Sequence, residues 1–276
     1  LRAVSYHHVW FSQNARGYTG LALWTVVTTY FFLRGMRERG LRPWLWYGVT
    51  LALGMYTHLT MGFVAAGHFL VYAWLFSTGR SPSPGVAGFR IDEQRPYAPL
   101  SGFVLAGMLT LALYAPVLPQ VLARTVGGQS SAAAQVQSAW TNPLWLVLET
   151  LRGLAAGAGG ALGFVVLPAA GAILLAGLWS YWRQDRSVVG LMVLPGVITA
   201  AVMLFLEHNL WPRFFFFAIG FGMLLLVRGA MVTGAWLQAS ARGRPEAGGT
   251  KVAWGTALVA LMIMASAWSV RCRGRS

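Results

Sequence analysis

The chain has 276 residues, of which 57% are hydrophobic and only 10% are charged. Because soluble domains carry about 25% charged residues, this composition excludes an ordinary soluble enzyme or binding module. The 21 basic and 7 acidic residues give a formal net charge of +14. The basic residues stand in short segments between apolar runs and not on one polar module. We therefore expect them to meet a lipid bilayer and no nucleic acid.

The two ends of the sequence resemble internal positions of a longer chain. It begins at Leu1 with no signal peptide, and it stops in the basic run 271–276 directly after an apolar run. We therefore expect a fragment of a longer polytopic protein.

The apolar runs predict an all-α fold. A bilayer core about 30 Å thick needs about 20 apolar residues per helix. About eight runs qualify, at 18–33, 44–56, 60–76, 100–121, 162–182, 188–206, 214–232 and 252–268. The prediction is a polytopic transmembrane helical bundle that forms a single domain over residues 1–276, with its ionisable residues at the ends of the spans. Gly220 and Gly222 are expected to permit close helix packing.

The loop charges predict the orientation of this bundle. Most of the 21 basic residues fall in four segments, 34–43, 77–99, 183–187 and 228–251. The positive-inside rule makes those segments cytoplasmic. The loops 1–17, 122–161 and 207–213, together with the turn at 56–58, then share the outer face.

The first outer-face candidates stand at the mouth of the first span, where Gln13, Arg16 and Tyr18 occur together. The planar guanidinium fork of Arg16 suits a phosphate, because it offers paired donors. The alternative is an interfacial arginine that reaches lipid headgroups, with Tyr18 as an aromatic belt residue.

Two further outer-face segments carry candidate residues. At the turn between two spans, Tyr56 and His58 stand close together, and His58 is suited to donate to a phosphate or to act as a general base. An ordinary interfacial histidine is the alternative. Before the aromatic run 214–217, Glu207, His208 and Arg213 suit a lipid phosphate and its first isoprene units, or else anchor the chain to headgroups.

The sequence contains no metal-binding motif. It has neither an HExxH pattern nor a pair of cysteines, since Cys272 is the only cysteine. The loop 122–161, whose polar side chains are mostly uncharged, suits sugar hydroxyls or simple solvation.

Three of these segments resemble motifs of one enzyme family. Residues 10–18, WFSQNARGY, resemble the signature W-Y-S-Q-E-A-R-x-Y of GT-C type integral membrane glycosyltransferases, in the superfamily of protein O-mannosyltransferases and aminoarabinose transferases. Residues 53–58, LGMYTH, resemble the segment L-G-L-Y-T-H-Y of that superfamily, and residues 212–214, PRF, resemble its P-R-Y. The departures are Asn14 for Glu, Leu59 for Tyr and Phe214 for Tyr.

The resemblance implies a bacterial inner-membrane enzyme with its active face towards the periplasm or cell exterior. Such an enzyme moves a sugar from a polyprenyl-phosphate donor to a lipid, glycan or protein acceptor. Arg16 and Arg213 are then expected to bind the donor phosphate. The residues expected to line the site are Gln13, Tyr18, Tyr56, His58, Glu207 and His208. In the family the catalytic aspartate precedes the first motif, so here it would lie upstream of residue 1. This chain alone is then expected to be inactive, and a divalent metal stays open as a cofactor.

Two alternatives share the arginine and aromatic features. One is a non-enzymatic transporter or flippase of lipid-linked sugars, which would place polar residues in mid-span along a pathway. The other is an O-antigen-ligase-like enzyme, which also uses polyprenyl carriers. An Asp-Glu pair upstream of residue 1 would favour the transferase.

The predicted orientation is tested by single cysteines introduced on a background in which Cys272 is replaced by serine. Ser81→Cys and Gln135→Cys should react with a membrane-impermeant maleimide from opposite sides of the membrane, with only the second labelled in intact cells. Labelling of both positions from the same side would contradict the orientation.

Overall fold

The computed structural model describes residues 17–38, 40–78, 96–116, 163–206 and 212–242, and a few isolated positions between 118 and 152 and at 210. Its five long ranges contain seven α-helices and one short 3-10 helix. The α-helices are α1 (Tyr18–Gly35), α2 (Arg42–Thr57), α3 (Met61–Thr78), α4 (Ala98–Tyr114), α5 (Gly163–Gln184), α6 (Arg186–Phe205) and α7 (Ala218–Arg242); the 3-10 helix is Pro212–Phe215.

The all-helical class is confirmed in these ranges, and the chain has the helices of a membrane protein. Within the described ranges three helical stretches are long and apolar enough to cross a membrane: Met61–Thr78, Arg186–Phe205 and Ala218–Leu237. Eight spans remain a prediction, and the expected span at 252–268 lies outside the described residues.

Most helix boundaries follow from local sequence. Pro43 and Pro99 stand in the first turns of α2 and α4, where a missing backbone N–H leaves no hydrogen bond unmade. Gly17 precedes α1 with a φ of 86°, which glycine adopts without strain. The end of α7 does not match its predicted span: the helix continues to Arg242, whereas the predicted span ends at residue 232.

The chain divides into two compact units. Unit 1 is Leu1–Thr141 with Gly190–Gly220, and unit 2 is Asn142–Val189 with Phe221–Ser276. The single domain over the whole chain stays a prediction.

In unit 1, α1 and α2 form an antiparallel pair with an aromatic core. Trp44 is 2% exposed and lies against Gly35, where an added Cβ atom would stand 2.7 Å from its ring. Gly102 of α4 gives the same close access to Tyr47, since a Cβ atom there would stand 2.8 Å from that ring. Gly220 packs as predicted, because its Cβ position lies 2.5 Å from a methyl of Val26 on α1.

In unit 2, α5 and α7 touch through their backbones. A Cβ atom on Gly177 would overlap the carbonyl oxygen of Leu225, and one on Gly229 would overlap the carbonyl oxygen of Ile173. Small residues allow this approach, as is common where membrane helices cross. No described atom lies within 4 Å of the Cβ position of Gly222 apart from its own helix backbone and chain neighbours, so close packing at Gly222 stays a prediction.

Gly222 and Gly229 of α7 therefore provide a matched pair of substitutions. Gly229→Ala should destabilise the protein by about 1–3 kcal/mol, because a methyl group forces α5 and α7 apart. Gly222→Ala should be neutral or stabilising by up to about 1 kcal/mol, because alanine favours the helix. Unfolding by SDS titration in mixed micelles measures both, and equal effects would contradict the backbone contact.

Candidate functional site

Three of the segments chosen from the sequence meet at one end of unit 1. Tyr18 opens α1, His58 follows the last residue of α2, and Phe216 follows the 3-10 helix. The ring centroid of Tyr18 lies 5.3 Å from that of His58 and 4.6 Å from that of Phe216. We refer to Gly17, Tyr18, Thr57, His58 and Phe216 as the Tyr18 cluster.

Two glycines allow the close contact on which this cluster depends. A Cβ atom on Gly17 would stand 2.9 Å from the carbonyl oxygen of Thr57, and one on Gly20 would stand 2.9 Å from the methyl of Thr57. The first turn of α1 therefore lies directly on the last residue of α2. This contact fixes the distance between Tyr18 and His58.

The hydrogen bonds of His58 indicate its tautomer. The backbone N–H of Thr60 donates to Nδ1 of His58 at 3.3 Å, and the hydroxyl of Thr60 lies 2.9 Å from the same nitrogen. A backbone N–H can only donate, so Nδ1 carries a lone pair and neutral His58 carries its proton on Nε2. Thr60 therefore occupies Nδ1 of His58, and the two roles expected for this residue, donation to a phosphate and general-base catalysis, stay predictions.

The other predicted site residues have different outcomes. Tyr56 is exposed, and its ring packs against Tyr114 of α4, with 5.9 Å between the ring centroids, and not against the Tyr18 cluster. Arg213 lies within the 3-10 helix, three positions before Phe216, but its side chain is not described. Gln13, Arg16, Glu207 and His208 lie outside the described residues.

The described residues contain no group of three or more His, Cys, Asp or Glu side chains arranged to hold a metal ion. The metal requirement stays open.

A second polar feature, which the sequence reasoning missed, lies inside unit 1. His68 stands in the middle of the apolar helix α3 and has no exposed surface. The Nε2 atom of His68 lies 3.1 Å from the hydroxyl of Thr29 on α1, and its Nδ1 atom lies 3.2 Å from the hydroxyl of Tyr47 on α2. We refer to Thr25, Thr29, Tyr47 and His68 as the His68 network.

The direction of each hydrogen bond in the His68 network follows from one donor. The Thr29 hydroxyl donates its proton to the carbonyl oxygen of Thr25 at 2.7 Å, so it accepts from Nε2–H of His68. The Nδ1 atom of His68 then accepts from the Tyr47 hydroxyl. With the proton of neutral His68 on Nε2, each ring nitrogen and each hydroxyl in the series of hydrogen bonds from Tyr47 through His68 and Thr29 to Thr25 has a partner.

The expectation that the ionisable residues gather at the ends of spans does not hold for His68. Two signals in the sequence were available: a histidine within an apolar run, and threonines four residues apart at positions 25 and 29 of the neighbouring span. Polar side chains inside a membrane usually face one another. Hydropathy alone does not show which faces of two helices meet, so the pairing required the structure.

The His68 network predicts that the protein loses stability when the Tyr47 hydroxyl is removed. Tyr47→Phe leaves Nδ1 of His68 buried without a donor, so it should destabilise the protein by about 1–2 kcal/mol. Tyr114→Phe is the control, because its half-buried hydroxyl donates only to the carbonyl oxygen of Met55 at a helix end. SDS titration should show the larger loss for Tyr47→Phe, and an equal or smaller loss would contradict the network.

Comparison of the chain with protein-family models, with curated proteins and with solved structures gives no match.

Proposed function

We propose that the protein is a membrane glycosyltransferase that moves a sugar from a polyprenyl-phosphate-linked donor to a lipid, glycan or protein acceptor on the outer face of a bacterial inner membrane. The observation that supports this proposal is the Tyr18 cluster, in which Tyr18, His58 and Phe216 come together. These residues belong to, or closely follow, the three segments that resemble the GT-C type signatures, and those segments are distant in sequence.

The chemistry of transfer assigns a role to the cations of these segments. The acceptor hydroxyl attacks the anomeric carbon, the bond from that carbon to the phosphate oxygen breaks, and the phosphate leaves as an anion. Arg16 is two residues from Tyr18, so covalent geometry keeps their Cα atoms within about 8 Å. Arg213, in the 3-10 helix that leads to Phe216, is the second donor proposed for the departing phosphate. The base that takes the hydroxyl proton is the aspartate that the resemblance implies upstream.

A transporter or flippase of lipid-linked sugars is the main alternative, and the His68 network bears on it. A transport pathway needs polar groups that a substrate can reach inside the membrane. The His68 network is polar and lies in mid-helix, but Thr25 and His68 have no exposed surface and the groups bond one another. It therefore supports a structural role and does not favour transport.

Donor binding is the direct test of the arginine roles. We expect Arg16→Ala and Arg213→Ala each to weaken binding of a polyprenyl phosphate to the purified chain by roughly 10- to 150-fold, because a hydrogen bond to a charged group is worth about 1.5–3 kcal/mol. Lysine at either position should have a smaller effect, since it keeps the charge but loses the planar fork. Arg34→Ala is the control, because Arg34 already pairs with Glu38 at 2.7 Å.

The binding result distinguishes a role in donor binding from a role as headgroup anchors. Unchanged affinity in both alanine variants would show that Arg16 and Arg213 anchor lipid headgroups.

Transfer itself is measured separately, in membranes of cells that express the complete reading frame, with polyprenyl-phosphate-linked labelled sugars as donors. Movement of a lipid-linked sugar across the membrane without product formation would support the transporter and contradict the transferase.

A further inference from the structure

Arg228 occupies an unusual position in unit 2. It lies within Ala218–Leu237, a 20-residue stretch of α7 that is apolar enough to cross a membrane, and its partner Ser180 stands one turn before the end of α5. A charged side chain in or near hydrocarbon is costly unless it finds partners or reaches the interface. Its surroundings therefore indicate which kind of group it meets.

The protein fixes one edge of the Arg228 guanidinium and leaves the other edge to be bound. The Nε–H donates to the hydroxyl of Ser180 on α5 at 3.0 Å, and the guanidinium carbon lies 5.9 Å from the ring centroid of Tyr181. A guanidinium has five N–H donors, and this geometry uses one. In the described part of the chain the one ion pair is Arg34 with Glu38, so no carboxylate neutralises Arg228 there.

The seat of this guanidinium is rigid. Gly177 lies one turn before Ser180 and Gly229 follows Arg228, and at these glycines the backbones of α5 and α7 touch. The Ser180 hydroxyl and the Arg228 side chain are therefore held on two helices that cannot easily slide past each other.

The C-terminal end of α5 and the start of α6 carry further basic and aromatic groups. Arg183 follows Ser180 by three residues and so lies on the same helix face. Arg186 places its guanidinium carbon 5.4 Å from the ring centroid of Trp182. The nearby acidic residue, Asp185, accepts a hydrogen bond from the backbone N–H of Ser187 at 2.8 Å and caps α6. Exposed arginines beside tryptophan at a helix end are typical of the level of lipid headgroups.

We propose that Arg228, oriented by Ser180 and Tyr181 and supported by Arg183, binds the phosphate group of an anionic phospholipid. The terminal edge of the guanidinium donates two parallel N–H hydrogen bonds to two phosphate oxygens. This site is in unit 2 and is separate from the donor-phosphate role proposed for Arg16 and Arg213. It does not depend on the glycosyltransferase proposal.

The test measures thermal unfolding of the full chain in a non-ionic detergent against increasing dioleoyl phosphatidylglycerol, dioleoyl phosphatidylcholine or sodium phosphate. A ligand that binds the folded state raises the melting temperature. We expect phosphatidylglycerol to stabilise the chain more than the other two. In Arg228→Gln the phosphatidylglycerol concentration for half-maximal stabilisation should rise about tenfold, as for the loss of one charged hydrogen bond. Arg34→Gln, at a helix end in unit 1, should leave it unchanged.

A second variant keeps the test informative if Arg228→Gln does not fold. Ser180→Ala retains the charge and removes the hydrogen bond that orients it, so the response to phosphatidylglycerol should weaken while the protein stays folded. Three results would overturn the proposal: no difference between phosphatidylglycerol and phosphatidylcholine, the same stabilisation by sodium phosphate at equal concentration, or an unchanged response in both variants.

Discussion

The His68 network is the interaction on which the arrangement of unit 1 depends. Apolar side chains alone do not specify the register of helices in a lipid environment, because lipid tails are as apolar as leucine. A histidine that bonds Thr29 on one side and Tyr47 on the other is satisfied in one register only. The ring of Phe32 lies 4.8 Å from that of His68, centroid to centroid, and Pro195 of α6 packs against the neighbouring Gly67. The network thus fixes the register of α1, α2 and α3. Tyr18 lies at the start of α1, and Thr57 and His58 lie at the end of α2, so the network also holds these members of the Tyr18 cluster in place.

The polar residues within apolar helices follow two different patterns in the two units. In unit 1 the partners of His68 are neutral and come from α1 and α2, so the network is closed. In unit 2 Arg228 carries a full charge, and its described partners are a serine hydroxyl and an aromatic ring. Neither partner neutralises that charge. A closed neutral network stabilises structure, whereas an oriented cation without a carboxylate implies an external anion.

The sequence predicted the helices well and the contacts between them only in part. Apolar runs predicted α1, α2 and α3 to within a few residues, and the polar and aromatic residues at the span ends marked the three segments that meet at Tyr18. The sequence did not show that Tyr56, two residues before His58, faces α4, because the direction of a side chain at a helix end depends on its neighbours. It also did not show that Gly220 lies against Val26 of α1, since spacing does not reveal which helix a glycine faces.

The tautomer of His58 connects the fold to the proposed chemistry. The Thr60 N–H that donates to His58 belongs to the short turn between α2 and α3, and α3 is fixed against α1 and α2 by His68. The turn therefore has little freedom to rotate the imidazole and expose Nδ1 as a base. In this geometry Nδ1 of His58 is held by the Thr60 N–H and is not available as a base, so the proposed transfer needs its proton acceptor elsewhere.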